Sequence, residues 1–346
     1  MEDANSASAR EVAPAELERW LEAEVEGYRG PAMLSKCGFG QSNPTFRLSS
    51  PSGHYILRRK PLGPLLPKAH AIEREFRVLQ ALQGSPVPTP KVYALCEDTQ
   101  VMGAAFYLME FVEGRIFYDQ TMPDLSADER AAIFDNINQA VVDLHRVDPS
   151  DVGLADFGRS ENFVQRQIAT WTKQYRASEG EHIEAMERLI EWLPANLPPE
   201  QSGRIFHGDL RIDNMILHPT EPRVIALLDW ELSTLGDPLA DLAYHMMVWR
   251  IPPDLFRGLA GLDFKRMGIP REEDYLRLYL QRSGRSDIPC WNFYLAFSLF
   301  RVAAILQGVW SRAQSGQASA TDAETVGRKA APLAAIGWDI ARAATA

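Results

Sequence analysis

The sequence predicts an α+β chain of two lobes, a small N-lobe with an antiparallel sheet plus helix and a larger, mostly helical C-lobe. Three observations predict it. Short β-rich runs separated by turns fill residues 33–111, with one helical stretch among them. From Ser126 onward, apolar residues recur mainly at helical spacing. Between the helical stretches lies one segment, 204–241, whose polar residues sit in an apolar frame that neither periodicity explains.

That segment reads Arg-Ile-Phe-His207-Gly208-Asp209-Leu-Arg211-Ile-Asp213-Asn214-Met-Ile-Leu, a turn, then Val-Ile-Ala-Leu-Leu-Asp229-Trp-Glu231 and Gly236-Asp237-Pro238 up to Asp241. These are the parts of a phosphoryl-transfer site. A loop carboxylate, Asp209, orients and deprotonates a hydroxyl, and the Asn214 amide and Asp229 carboxylate follow as hard oxygen ligands for magnesium. The apolar runs 215–217 and 224–228 flank a turn-rich piece and read as a hairpin, which predicts that Asn214 and Asp229 share a metal. The order His-x-Asp, Asn five residues later and a second Asp is the arrangement of protein kinases, so the expected architecture is bilobal and protein-kinase-like. Two changes matter. Gly208 stands where those enzymes carry an Arg that pairs with a phosphorylated loop, and Glu231 replaces a Gly. With only seven residues between Asp229 and Asp237, there is no room for a protein-substrate platform, and the expected acceptor is a small molecule.

Composition narrows the classes. The 346 residues are 46% hydrophobic and 24% charged, with a net charge of −10, which disfavours a nucleic-acid partner. No apolar run approaching a membrane span is read from the sequence, and the acidic start is not a signal peptide, so the expected location is cytoplasmic, with no membrane partner. Cys37, Cys96 and Cys290 lie far apart without metal spacing and read as reduced thiols. The expected organisation is a disordered N-terminus at 1–12, a nucleotide-binding N-lobe at 13–109, a hinge at 110–114 and a C-lobe at 115–346 that carries the catalytic loop, metal site and acceptor site.

Taken in order, Leu17, Trp20, Leu21, Val25 and Tyr28 give the core face of a helix from about 14 to 26. Residues 33–48 read as strand, glycine turn, strand. In the turn, Gly38 and Gly40 allow backbone amides to approach phosphate oxygens, and Ser42 and Asn43 add donors. The next strand, 54–61, ends in Arg58-Arg59-Lys60. Kinases place a phosphate-contacting Lys here. Strand register selects Arg58, with Lys60 the competitor. A helix from about 71 to 82 presents Ile72, Phe76, Leu79 and Leu82 to the core, and Glu75, with Glu73 as fallback, is the carboxylate expected to pair with the strand cation. Strands at 92–96 and 106–111 follow. The second ends at Gly114 and suits an adenine slot, backed by Met109, with the Glu110 carbonyl and Val112 amide on the base edge.

In the C-lobe, Ser126-x-x-Glu129 is a capping box that starts a helix to about 145. Helices are expected at 161–176, 180–193, 242–250, 271–282, 291–310 and 321–343. Residues 250–346 hold 13 Lys and Arg against 9 Asp and Glu, the reverse of what a polycationic acceptor requires. Arg301 and Arg312 read as solvated faces, and the aromatic residues around them as core.

His-Gly-Asp-x-x-x-x-Asn, Asp-Trp-Glu and Gly-Asp-Pro-x-x-Asp-Leu-Ala together resemble the aminoglycoside-phosphotransferase-like (APH) kinases. With Gly38-Phe-Gly-Gln-Ser-Asn-Pro-Thr-Phe, Tyr55-Ile-Leu-Arg-Arg-Lys-Pro and Met109-Glu-Phe-Val-Glu-Gly-Arg, the chain is similar over about 31–310 to the branch found alone or fused to acyl-CoA dehydrogenases. The resemblance implies ATP-dependent, Mg2+-assisted phosphorylation of a hydroxyl on a 4-hydroxyacyl-CoA, a CoA thioester, with functional coupling to a separate acyl-CoA dehydrogenase. In that scheme Asp209 is the base and Asn214 and Asp229 hold the metal. Arg58, oriented by Glu75, holds the phosphate tail with the 38–43 amides. Arg211 steadies the transferred group or forms a structural ion pair. His207 braces the loop, and Asp237 and Asp241 anchor backbone. The alternatives are a kinase of another small hydroxyl compound (an aminoglycoside, a macrolide, choline or homoserine) and a non-catalytic nucleotide-binding module.

Overall fold

The computed structural model describes residues 11–37, 43–63, 71–178, 180, 182–316 and 322–344. The chain forms two compact units. The first comprises the residues up to Arg115 together with Ile216–Pro219 and Ile225–Ser233, and the second comprises Ile116–Met215, Thr220–Val224 and the residues from Thr234 on.

In the first unit, β1 (Glu11–Val12), β2 (Met33–Lys36), β3 (Thr45–Ser50), β4 (Gly53–Arg59), β5 (Val92–Cys96) and β6 (Phe106–Glu110) form one six-stranded sheet, in the order β1-β2-β3-β4-β6-β5. All its pairings are antiparallel. Alternation sets the faces of β4: Tyr55 and Leu57 are buried with Leu48, Phe106 and Leu108, and helix α1 (Ala15–Glu24) covers this cluster with Leu17 and Leu21. Register places Arg58 opposite Tyr107 on β6. Helix α2 (Ile72–Ala81) buries Ile72, Glu75, Val78 and Leu79. Glu75 lies three residues after Ile72 and four before Leu79, so helical spacing turns a carboxylate inward on an otherwise apolar face. This corrects the expected face: Phe76 is only partly buried and Glu75 takes the inward position. A one-turn helix α3 (Thr99–Met102), capped by Asp98, was not expected.

The second unit is helical. Its first helices are α4 (Ala127–Arg146), α5 (Phe163–Ala177), α6 (Glu184–Ala195) and α7 (Pro238–Met246). The short α8 (Pro253–Phe256) and α9 (Phe264–Met267) precede α10 (Glu272–Ser283), α11 (Trp291–Gln314), α12 (Ala323–Gly327) and α13 (Ala330–Ala343). The Ser126 hydroxyl caps α4 by accepting the Glu129 N–H at 3.2 Å. Helix α7 begins at Pro238, earlier than expected, because Asp237 caps it through the Leu239 N–H. The expected single terminal helix is two. Gly327 closes on α11 so tightly that a Cβ there would come within 2.4 Å of the Trp310 Cβ. Strands β7 (Arg204–Phe206) and β10 (Thr234–Gly236) pair antiparallel. Strands β8 (Met215–Leu217) and β9 (Val224–Leu227), most of whose residues belong to the first unit, form the expected two-stranded sheet.

Helix α11 corrects the reading that no stretch approaches a membrane span. Its 24 residues are long and apolar enough by length and composition alone. Its most apolar window is 78% buried, and it packs against α5, α6, α7, α12 and α13. A helix apolar on all sides is buried on all sides, and here it is the central core helix of the second unit.

Candidate active site

The 207–210 loop lies between β7 and a 3₁₀ turn, Ile212–Asn214. Gly208 has φ +88°, a conformation open to glycine at little cost, so the residue that replaces the protein-kinase Arg also shapes the turn. The following Asp209 carboxylate is largely buried and ringed by donors. Arg211 lies 2.8 Å from Oδ1 through Nε and donates to Oδ2 through Nη2 at 3.0 Å. The Asn214 amide donates to Oδ2 at 2.8 Å and to the Asp209 carbonyl at 2.9 Å, and the Tyr244 hydroxyl donates to Oδ1 at 2.8 Å. Burial, the largest single influence, pushes the Asp209 carboxyl up. The Arg211 charge and the Tyr244 and Arg211 hydrogen bonds outweigh it and hold the group below its ordinary value.

Helix α7 grips this loop residue by residue. The buried Asp241 carboxylate accepts the His207 N–H at 2.7 Å and the Gly208 N–H at 3.0 Å. One turn on, Tyr244 reaches Asp209, and His245 contacts the Leu210 carbonyl through Nδ1 at 3.3 Å. These three side chains at i, i+3 and i+4 share one helix face. His207 is buried, and its Nδ1 accepts the Asp209 N–H at 3.2 Å, a bracing contact. Asp237 caps α7 and accepts from the Tyr294 hydroxyl at 2.8 Å. Arg301 on α11 is buried, donates to the Gly208 carbonyl, and stacks 4.7 Å from the Tyr244 ring centroid. The expected solvated face at Arg301 is therefore wrong. The surrounding Trp171, Phe206 and Tyr244 rings give its cation a home inside the core.

In the first unit Arg58, on β4, is 2.6 Å from Glu75 through Nη1 and 3.3 Å from Asp229 through Nη2. Burial pushes the Glu75 carboxyl up to about 7 against the pull of Arg58, and the Asp229 and Glu231 charges add to the rise. Lys60, the competing cation, pairs with the fallback carboxylate Glu73 in a more exposed contact. Asp229 follows β9 with φ +63°, a left-handed conformation that Asp tolerates better than most residues. Its carboxylate stays about a third exposed.

Of the remaining predicted positions, Met109 is buried on β6 and Glu110 is its exposed last residue, with Val112 just beyond and half-buried. Asn43 is buried. Gly38, Gly40 and Ser42 lie outside the described residues. For magnesium, the residue types fit. Asn214 turns its NH2 to Asp209, which leaves its carbonyl oxygen as the hard-ligand end, and Asp229 keeps an exposed carboxylate.

A sequence profile described as the phosphotransferase enzyme family, APH, matches residues 34–294. The chain belongs to the APH family. Its fold is the protein-kinase-like APH fold, and the family is one of phosphotransferase enzymes. A Ralstonia eutropha structure provisionally assigned as an aminoglycoside phosphotransferase is 50% identical, with a TM-score of 0.90, covering 96% of this chain and 99% of that one. A thermostable variant of aminoglycoside phosphotransferase APH(4)-Ia, in complex with ADP and hygromycin B, shares the APH fold at 13% identity, with a TM-score of 0.59 over 93% of this chain and 98% of that one. Mouse acyl-CoA dehydrogenase family member 10 is 46% identical over 94% of this chain and 31% of its own length. For human member 11 the figures are 41%, 94% and 43%. The chain thus spans less than half the length of these curated relatives.

Sequence reasoning gave no role in this APH site to Tyr244, His245, Arg301, Asp213 or Arg257. Tyr244 and His245 carried a usable signal, since they follow Asp241 by three and four residues on one helix. Asp213 lies 3.5 Å from Arg211 and also pairs with Arg257, whose φ is +48°. Arg257 and Arg301 sit 44 and 93 residues from their partners, beyond any local pattern.

Proposed function

We propose that the chain transfers the γ-phosphoryl group of ATP to the hydroxyl of a 4-hydroxyacyl-CoA. The observation that carries the reading is the Asp209 carboxylate, which is kept ionised and aimed by fixed donors, as a group that orients a hydroxyl for in-line attack requires. In this reading Asp209 takes the acceptor proton as the hydroxyl oxygen attacks the γ-phosphorus, and ADP leaves. Arg211 steadies the transferred phosphoryl group, and His207 holds the loop shape. Arg58, aimed by Glu75, contacts the phosphate tail together with the 38–43 amides, and Met109, Glu110 and Val112 receive the adenine. Asn214 and Asp229 supply the oxygen ligands for magnesium, whose charge offsets that of the phosphates.

The acyl-CoA acceptor is supported by the names of the curated relatives and by the basic balance of residues 250–346, which suits an anionic thioester better than a polycation. Functional coupling to a separate acyl-CoA dehydrogenase belongs to the same proposal. An aminoglycoside acceptor is the second reading, favoured by the assignment of the Ralstonia eutropha neighbour. ADP release measured against 4-hydroxyacyl-CoA thioesters, aminoglycosides, macrolides, choline and homoserine separates them. Preferential release with the thioesters is expected, and release with an aminoglycoside alone overturns the acyl-CoA reading. An absence of release with every compound favours a nucleotide-binding module.

A further inference from the structure

The Asp209 carboxylate accepts three side-chain hydrogen bonds, from Tyr244 on Oδ1 and from Arg211 Nη2 and Asn214 on Oδ2, and the Arg211 Nε charge lies 2.8 Å from Oδ1. A carboxylate offers about four lone-pair sites and three are taken, so an incoming hydroxyl meets a nearly saturated group. The donors differ in their freedom to leave. The Arg211 side chain is 26% exposed and can swing outward. Tyr244 is buried on α7, and its phenol stays protonated because burial and the Asp209 charge both raise it. Behind it, the Arg301 guanidinium is enclosed by Trp171, Phe206 and Tyr244 and tied to the Gly208 carbonyl. A cation over the ring face also polarises the phenol, which strengthens its O–H as a donor.

We propose that Tyr244, backed by Arg301, is a positioning residue that fixes the rotamer of the Asp209 carboxylate for the acceptor hydroxyl. The inference rests on the kinase reading for its consequence in turnover, but the geometric claim stands apart from it. When Arg211 swings outward, Asp209 stays aimed because its inner contact does not move. Arg301 ties the carbonyl of one loop residue and the side-chain anchor of the next to the same core helix. Loop and carboxylate are thereby held as one piece.

The test uses the full chain with Tyr244→Phe, Arg301→Lys and Arg301→Met. It measures kcat and the KM for ATP with the best acceptor, and it compares crystal structures of wild type and Tyr244→Phe. Tyr244→Phe removes one hydrogen bond to a charged group and is expected to lower kcat about ten- to a hundredfold, with the ATP KM within about twofold. Arg301→Lys is expected to retain more kcat than Arg301→Met. In the variant crystal the Asp209 carboxylate is expected to rotate while the loop backbone stays in place. Wild-type kcat in Tyr244→Phe, or an unmoved carboxylate, overturns the proposal. If Tyr244→Phe does not fold, Arg301→Lys carries the test, where wild-type kcat overturns the proposal and a kcat loss at unchanged ATP KM supports it. If wild type turns over no acceptor, the kinase reading fails on its own, and the crystal comparison still decides the positioning role.

Discussion

Asp241 holds the His207 backbone N–H at 2.7 Å with one carboxylate oxygen while its other oxygen takes the Gly208 N–H at 3.0 Å. The side chain is fully buried, yet its folded pKa is lowered. Burial pushes it up, but His145 and His207, through its charge and its backbone N–H, outweigh that. Asp241→Asn exchanges one acceptor oxygen for an NH2 that faces a backbone N–H. The expected cost is about 2–4 kcal/mol of stability, together with a marked fall in kcat. Thermal unfolding and ADP release check the two effects; a variant with wild-type values on both contradicts the anchoring role.

Arg58 and Lys60 are separable by burial. The Arg58–Glu75 pair is nearly solvent-free, and Glu75→Ala leaves a buried guanidinium whose nearest described carboxylate contact is Asp229 at 3.3 Å. Denaturant unfolding is expected to show a loss of about 3 kcal/mol. The Lys60–Glu73 pair is about a quarter exposed on the Lys side, so Lys60→Ala is expected to cost under about 1 kcal/mol. In nucleotide titrations Arg58→Ala weakens ATP binding and Lys60→Ala leaves it near wild type. The opposite order would make Lys60 the phosphate-contacting cation.

His245 predicts an acid-side loss of stability. Burial pulls its imidazole down to about 4, partly opposed by the Leu210 carbonyl and the Asp241 charge. Nδ1–H donates to Leu210, and Nε2, 2.9 Å from the Tyr275 oxygen, accepts from that hydroxyl, so the neutral ring fits and a cation does not. In the unfolded chain the ring titrates near ~6.5. Between these values the unfolded chain binds the extra proton, so stability is complete above the upper value and is lost as pH falls toward the lower one. The loss is of order 3 kcal/mol. His245→Gln is expected to flatten the slope of melting temperature against pH in this window, and an unchanged slope counts against the assignment.

Arg257 sets backbone strain against an ion pair. Its φ of +48° costs a non-glycine residue about 1 kcal/mol, while its guanidinium pairs with Asp213 beside the catalytic loop. Arg257→Gly relieves the first and removes the second, so the net change in unfolding free energy is expected to stay within about 1 kcal/mol. Arg257→Ala keeps the strain and loses the pair, and is expected to be the less stable of the two. Equal melting temperatures would mean that the strain carries no weight.

The sequence made the local parts of this architecture readable. Strand alternation and the Ser126 cap each follow from a few adjacent residues, and the contact between Arg58 and Glu75 was expected from the protein-kinase arrangement of a strand cation and a helix carboxylate. Distant contacts were not readable. Arg301 looks like any arginine of a long helix, and only the closed core shows that aromatic rings surround it. The apolar character of α11 was spread over 24 residues with Arg301, Gln307 and Ser298 among them, which broke the run in one dimension while the helix remained a buried column. The break before α13 depended on the fit of Gly327 against Trp310, which no local pattern encodes.

The tie between Arg301 and Gly208 also sets an order of assembly. The loop that carries Asp209 is synthesised 93 residues before the arginine that secures it. A chain emerging from the ribosome therefore holds the Asp209 carboxylate in an unfinished setting until α11 has been made and has docked. Until then the faces of α5, α6 and α7 that α11 covers are exposed, and the loop lacks its core anchor. Truncations ahead of Arg301 are accordingly expected to yield products that bind holdase chaperones and lack phosphotransfer, even though every residue of the His-Gly-Asp motif is present.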